Sequence, residues 1–375
     1  MAQKIRVGII FGGKSAEHEV SVRSARNIIG ALDKQKYEAV LVGIDREGRW
    51  HLGNESRLML ALGQPTVDAI SDQNDVLLAP GRGSGAARQG SGAVMAAGNP
   101  VPLANLDVVF PVLHGPNGED GTMQGLLKLA GIPFVGPSVL GSAVGMDKEV
   151  TKRLLRDAGI PIGRFEVLTA KQRSTWSPEA ILRTLGAPVF VKPVNMGSSV
   201  GIRKATDAKT LREAVDFAFT FDRKVIVEEY IKGREIECAV LGNDEPQASI
   251  PGEIIAGAQH DFYSYEAKYV DCEGQRIEIP ANLPKAALEQ IRTLAVQVFE
   301  VLCCEGMSRV DFFYTEDGRI LVNEINTIPG FTNISMYPMM WKESGIEYSD
   351  LIGRLIELAL ERHRAEAALA VAPSS

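Results

Sequence analysis

Asp311, Glu324, Asn326 and Arg309 are the residues of this chain best suited to chemistry as a set. Side chains alternate along a strand with period two, so Arg309 and Asp311 share one face, and Glu324 and Asn326 share one face of the segment that follows. Asp317-Gly318 between them suits a two-residue hairpin turn, whose centres both need positive φ. Counting outward from Glu316 opposite Arg319 sets Asp311 opposite Glu324 and Arg309 opposite Asn326. A four-residue loop would shift the pairs yet keep the four side chains on one face. Two carboxylates ~5 Å apart repel by roughly 3 kcal/mol at an effective dielectric of about 20, and like charges directly opposite destabilise a sheet. Two carboxylates and an amide are also the oxygen donors that Mg²⁺ selects, above all where phosphates complete its shell. The competing reading is a solvated strand face on which Arg309 neutralises the acids. It accounts for the charges, but not for Asn326 followed at once by the turn Thr327-Ile328-Pro329-Gly330.

A phosphate partner has its own signal. Val189 to Lys192 reads as a short strand ending in lysine, and Asn195 to Gly201 follows as a loop of small and hydroxyl residues. Such a loop lets backbone N–H groups approach an anion closely. It is not a Walker A loop, because no G-x-x-x-x-G-K-[ST] occurs in the chain. The link Glu228 to Gly233 between two strands could present its backbone to an adenine edge, with Glu235 reaching a ribose; a plain hairpin with a charged tip is the simpler reading. His114 to Thr122 is a polar, glycine-rich loop after a strand, where open α/β sheets bind ligands. Within it, Glu119 and Asp120 read as caps of the next helix. Asp261 to Asp271 is polar, tyrosine-rich and interrupted, as a lid would be.

These groups need elements to position them. Ile5–Phe11 reads as a buried strand, then a glycine turn, a helix Glu17–Leu32 and a strand Tyr37–Asp45, which makes a parallel α/β layer. The turn lacks G-x-G-x-x-G, so nothing points to a dinucleotide. Residues 81–100 are rich in Gly, Ser and Ala and read as a flexible surface loop. Strands are expected at Asp107–Leu113, Lys224–Tyr230 and Arg234–Gly242, and helices at Asp147–Ala158, Pro284–Leu302 and Ser349–Ala370. Gly, Pro and Ser cluster near Gly136–Gly145, where a domain boundary is expected.

The chain has 375 residues, enough for two or three domains, and 45% are hydrophobic, as in soluble globular proteins. A net charge of −7 and the lack of a basic stripe speak against a nucleic-acid partner. No run approaches the ~20 apolar residues of a membrane span, and the first apolar run is too short and too early for a signal peptide. The four cysteines have neither zinc spacing nor a disulfide framework, which suits a reducing cytoplasm.

Five blocks carry a family likeness. GGKSAEHEVS at 12–21, HGPNGEDGTMQG at 114–125, VKPVNMGSSVG at 191–201, EAKY at 266–269, and RVDFF with VNEINTIPGFTNIS between 309 and 335 together resemble D-alanine–D-alanine ligases of the ATP-grasp superfamily. The likeness runs in order along essentially the whole chain. It implies an α/β and α+β fold, with an N-terminal parallel α/β substrate domain (1–140), a central ATP-grasp lobe (141–232) and a C-terminal ATP-grasp and metal-binding lobe (233–375), the two lobes enclosing ATP.

It also implies roles. Asp311, Glu324 and Asn326 match metal ligands for Mg²⁺, two ions, with Mn²⁺ able to substitute. Lys148, Lys192, Ser198, Glu228, Ile231, Glu235 and Lys268 match ATP-binding positions. Glu17, His114, Arg309, Gly330 and Ser335 match the substrate site, with Glu17 on the ammonium of the first D-alanine and Ser335 on the carboxylate of the second. Glu17, Ser198 and Tyr269 match a hydrogen-bonded triad that pins the lid, and Arg309 matches the donor to the acyl oxygen. The implied activity is ADP-forming carbon–nitrogen ligation of two D-alanines through an acyl phosphate, for peptidoglycan precursors, by a cytoplasmic homodimer with no nucleic-acid or membrane partner. Another ATP-grasp ligase, or a nucleotide-binding protein without catalysis, stays open at this point.

Overall fold

The computed structural model describes residues 3–52, 76–79, 92–96, 99–255 and 276–369. The chain opens with β1 (Ile5–Gly12), a helix His18–Ala31, β2 (Tyr37–Ile44) and β3 (Trp50–Leu52). β4 (Val76–Ala79), β5 (Gly92–Ala96) and β6 (Asn99–Leu106) form a separate antiparallel sheet. β7 (Val108–Val112) returns beside β1, giving the order β3-β2-β1-β7, with β1 parallel to both β2 and β7. Every residue of β7 is buried, as parallel strands covered on both faces must be.

A second sheet takes the order β10-β9-β11-β8, from β8 (Phe165–Thr169), β9 (Val189–Pro193), β10 (Arg203–Ala205) and β11 (Lys224–Glu229). The third runs β15-β14-β12-β16-β17, from β12 (Gly233–Gly242), β14 (Gly252–Ile255), β15 (Arg276–Glu278), β16 (Gly306–Thr315) and β17 (Ile320–Asn326), with β13 (Gln247–Ala248) beside β12. The helix Lys285–Val301 packs on this sheet through Ile291, Ala295 and Val298, in one core with Val310, Phe312, Val322 and Ile325.

The last helix, Tyr348–Ala367, does not extend that core. Leu351, Ile352, Leu355 and Ile356 join Val7, Ile9 and Phe110 of the first sheet. Arg362, on the same helix, donates to the carbonyls of Phe134 (2.8 Å) and Gly136 (2.6 Å). The C-terminal segment therefore ties the first sheet to the third. No helix among the described residues is long and apolar enough to cross a membrane.

Two expectations are corrected. Residues 92–96 and 99–100 are strand rather than flexible loop; backbone pairing with β4 organises a stretch whose Gly and Ala content reads as loose. Residues 80–91 and 97–98 lie outside the described residues. The β16–β17 turn is the other. Thr315 N donates to Arg319 O (3.0 Å) and Gly318 N to Thr315 O (2.9 Å), so the loop is three residues, Glu316-Asp317-Gly318. Gly318 takes φ 81°, and Asp317 does not join it at positive φ. Glu316 thus does not pair with Arg319. A β-bulge between Asp311 and Phe312 then shifts the register, and Arg309 faces Asn326 and Asp311 faces Glu324. Bulges of this kind re-aim side chains beside functional sites.

Candidate active site

Two pockets meet between the second and third sheets. The first is lined by Lys148, Lys192, Ser198, Glu228, Tyr230, Ile231, Glu235, Asp311 and Glu324, among others. The second takes Glu17, His114, Glu119, Arg309, Asn326, Gly330 and Ser335. Lys148, Met196, Gly197, Ser198, Glu237 and Glu324 border both.

Lys148 opens the helix Lys148–Asp157, capped by Asp147, whose carboxylate accepts from Val150 N at 3.0 Å. Its Nζ donates to Met196 O at 2.7 Å. Lys152, one turn on and on the same helix face, reaches Glu228 Oε1 at 2.7 Å, while Lys192 reaches Glu228 Oε2 at 2.6 Å. Burial disfavours the Glu228 charge, but Lys152 and Lys192 together outweigh it and hold the carboxyl at about 2. Burial also opposes the charge on Lys192, yet Glu228 and Glu324 carry its pKa above the ordinary value. Lys148 is pushed down, by burial first and with Lys192 adding to it against the pull of Glu324. In the loop between Lys192 and β10, Ser198 and Ser199 take φ of 49° and 59°. Backbone held in this sparsely populated region concentrates at ligand clamps.

In the second pocket, Ser198 Oγ donates to Glu17 Oε1. Glycine leaves room at two points around that carboxylate: a Cβ on Gly115, which also takes φ 73°, or on Gly197 would stand 3.0 or 3.1 Å from Glu17 Oε2. Tyr269 and Lys268, with the lid segment, lie outside the described residues. His114 Nδ1 donates to Ile328 O at 3.0 Å, and its buried Nε2 has no partner among the described residues. Burial lowers the His114 pKa against the pull of Glu17, which favours the neutral ring. Ser335 Oγ accepts from Thr332 N at 3.0 Å and lies 2.9 Å from where a Cβ on Gly330 would be.

Arg309 grips Asp311 with two bonds of 2.7 Å each and lies 2.9 Å from Glu237 Oε2. Asn326 Nδ2 donates to Asp311 Oδ2 at 3.0 Å. Burial works against the Arg309 charge, but Asp311 and then Glu237 raise its pKa well beyond the ordinary value. Among the described residues no three His, Cys, Asp or Glu side chains gather as a metal site would gather them. The set here is two carboxylates and an amide. These hard oxygen donors suit a divalent cation that keeps part of its shell for phosphates.

Three site residues escape the sequence reading. Lys152 lies four residues after Lys148, and that spacing was the available signal. Glu237 lies two after Glu235, on the same strand face, and is the register partner of Asp311. Glu119 does not cap a helix. It accepts from Gly115 N (2.6 Å) and Ile328 N (3.2 Å), bridging two loops of the second pocket. Nothing in its local sequence separates it from Asp120, which does accept from Thr122 N (3.0 Å) at the helix start.

A cleft lined on one side by Lys148 and Lys152 from a helix and Lys192 from the second sheet, and on the other by Glu235, Asp311 and Glu324 from the third, is the arrangement of an ATP-grasp protein. A family profile described as D-ala D-ala ligase N-terminus matches residues 6–137, and one described as D-ala D-ala ligase C-terminus matches 154–357. D-alanine–D-alanine ligase A of Escherichia coli K12 is 52% identical over 368 residues, covering 98% of this chain and 99% of that one. The D-alanine-D-alanine ligase structure from Coxiella burnetii superposes with a TM-score of 0.83 at 38% identity, covering 98% and 97% of the two chains. The VanG D-Ala:D-Ser ligase from Enterococcus faecalis gives 0.81 at 37%, covering 95% and 100%. The chain belongs to the D-alanine–D-alanine ligase family.

Proposed function

We propose that this protein joins two D-alanine molecules to D-alanyl-D-alanine at the expense of ATP, through an acyl phosphate, in building peptidoglycan precursors. The observation that carries the reading is the shared border of the two pockets at Lys148, Ser198, Glu237 and Glu324. Phosphoryl transfer needs nucleotide and acceptor in line, with positioning and charge stabilisation rather than a covalent nucleophile.

In this reading ATP lies in the first pocket. The Glu228–Ile231 segment meets adenine, Glu235 the ribose, and Lys148, Lys192, Ser198 and Lys268 the phosphates. Asp311, Glu324 and Asn326 would hold Mg²⁺, two ions with Mn²⁺ as a substitute, which when bound supplies charge to offset the phosphate oxygens. Glu17 holds the first D-alanine's ammonium beside His114. The carboxylate of that D-alanine attacks the γ-phosphorus, forming the acyl phosphate and releasing ADP. Ser335 and Gly330 seat the second D-alanine, whose neutral amine attacks the acyl carbon. Arg309 donates to the oxyanion of the tetrahedral intermediate, phosphate leaves, and the amide forms. Tyr269 would bond to Ser198 and Glu17, hold the lid shut and keep water from the acyl phosphate.

The same reading divides the chain at about 140 and 232, and takes the enzyme to be cytoplasmic. It pairs two copies, for which Leu126 and Leu129, 39% and 83% exposed one turn apart, offer an apolar face. The test is phosphate release from Mg·ATP with single D-amino acids, followed by product analysis with D-serine and D-lactate as competing acceptors. Release that requires D-alanine and yields the dipeptide supports the reading; release in the absence of any amino acid, or no release with any of them, sinks it.

A further inference from the structure

Glu237 on β12 is the register partner of Asp311 on β16, and Asp311 is that of Glu324 on β17. Three acidic residues are thus register neighbours across three strands. The guanidinium set among them is Arg309, whose Nε stands 2.7 Å from Asp311 Oδ1 and 2.9 Å from Glu237 Oε2. All three groups are largely buried, with side-chain exposures of 16% for Arg309, 13% for Asp311 and 6% for Glu237. Glu237 borders both pockets, and Arg309 lines the second.

The ligase reading, on which this inference rests, gives the Asp311 carboxylate to a divalent cation. A two-bond guanidinium grip and a cation compete for the same two oxygens. A buried guanidinium that loses its counter-charge outright is left as an uncompensated buried charge, which is strongly unfavourable. Glu237 already touches the same nitrogen.

We infer that Glu237 is a positioning residue: it retains Arg309 when Asp311 turns to the metal, so that the guanidinium stays in the second pocket, where acyl transfer needs it. Its carboxylate takes over the contact while Asp311 is freed. Arg309 is shared by two acids in this structure because the two demands on it alternate.

The test is a double-mutant cycle read on ion binding without turnover. Mn²⁺ binding to the ADP-bound protein is followed by loss of the free-ion EPR signal, in wild type, Glu237→Gln, Arg309→Ala and the double variant. With Arg309 present, Glu237→Gln should weaken Mn²⁺ binding by about tenfold, because the guanidinium falls back on Asp311; with Arg309 removed, the same change should cost at most about twofold to threefold. Equal losses in the two backgrounds would mean that Glu237 acts on the ion through space alone, and that overturns the inference. So does an unchanged Mn²⁺ affinity in Glu237→Gln. Should Glu237→Gln not fold, Glu237→Asp, which keeps the charge, is read through the same cycle and should lose less than about threefold with Arg309 present. Because no turnover is involved, a wild type that releases no phosphate with D-alanine would sink the ligase reading and leave the cycle readable.

Discussion

Lys152 and Glu228 form a buried ion pair, Nζ to Oε1 at 2.7 Å, between the helix Lys148–Asp157 and β11. The other Glu228 oxygen is taken by Lys192, so one carboxylate fixes two cations in the first pocket, the proposed nucleotide site. Removing one partner of a buried pair is costly because the other is stranded, by about 3–5 kcal/mol. Lys152→Ala should lower stability by part of that range, with Lys192 retaining Glu228, and should weaken ATP binding more than D-alanine binding. Thermal denaturation and separate titrations with ADP and D-alanine check it. Equal weakening of both ligands would count against a role specific to the first pocket.

Glu324 faces Asp311 across the bulge. Glu324→Gln keeps the shape and removes a charge from the proposed metal site. Turnover should fall by at least ~100-fold, the scale of losing a key electrostatic contact, with Tm nearly unchanged. Chelating divalent cations with EDTA should abolish wild-type phosphate release, and Mn²⁺ should restore it. Near-normal turnover of Glu324→Gln at ordinary Mg²⁺ would make this strand face structural.

The Glu17 carboxylate is held by Ser198 and flanked by Gly115 and Gly197. If it pairs with an ammonium, its loss costs about 2–5 kcal/mol of binding. Glu17→Gln should raise the KM of the first D-alanine far more than that of ATP. Steady-state kinetics with each substrate varied in turn decide it; equal effects on both would leave Glu17 a merely structural group at the start of its helix.

Glu119 gives a pH signature. Burial first, and then the neighbouring Glu17 charge, push its carboxyl from the ordinary 4.5 up to about 8. Between those values the folded chain keeps a proton that the unfolded chain has released. Stability therefore falls as pH rises from about 4.5 to about 8, and this group adds no further slope above that. Glu119→Gln is neutral throughout and removes the contribution, at the cost of one backbone hydrogen bond. Wild-type Tm should decline more steeply than that of Glu119→Gln between about pH 6 and pH 8. Parallel curves would show that Glu119 is ionised in the folded state.

The strands and helices that carry the site were legible because their signals are local. Apolar runs between glycine turns gave β1, β7 and β9, and Asp147 before Lys148 marked a helix start that the structure caps through Val150 N. Strict alternation also chose Asp311 and Glu324 as a facing pair, although the route to it differs. With a three-residue turn, an unbroken register would set Asp311 opposite Asn323; the bulge adds one residue to β17 and restores Glu324. The sequence holds a trace of it, since Val322 and Ile325, both buried in one core, are three residues apart rather than two.

What local pattern could not decide is which distant groups meet. β16 pairs with β12 without a break from Gly306 to Thr315, so the misfit is taken up on the β17 side, and the same pairing brings Glu237 beside Asp311. Lys152 reaches Glu228, and Glu119 reaches Ile328 across 209 residues, only because the helix, sheet and loops are packed together. Periodicity is a property of a few consecutive residues and survives in the sequence. Desolvation and the pairing of charges depend on which surfaces the fold buries against one another, and these arise only once it has closed.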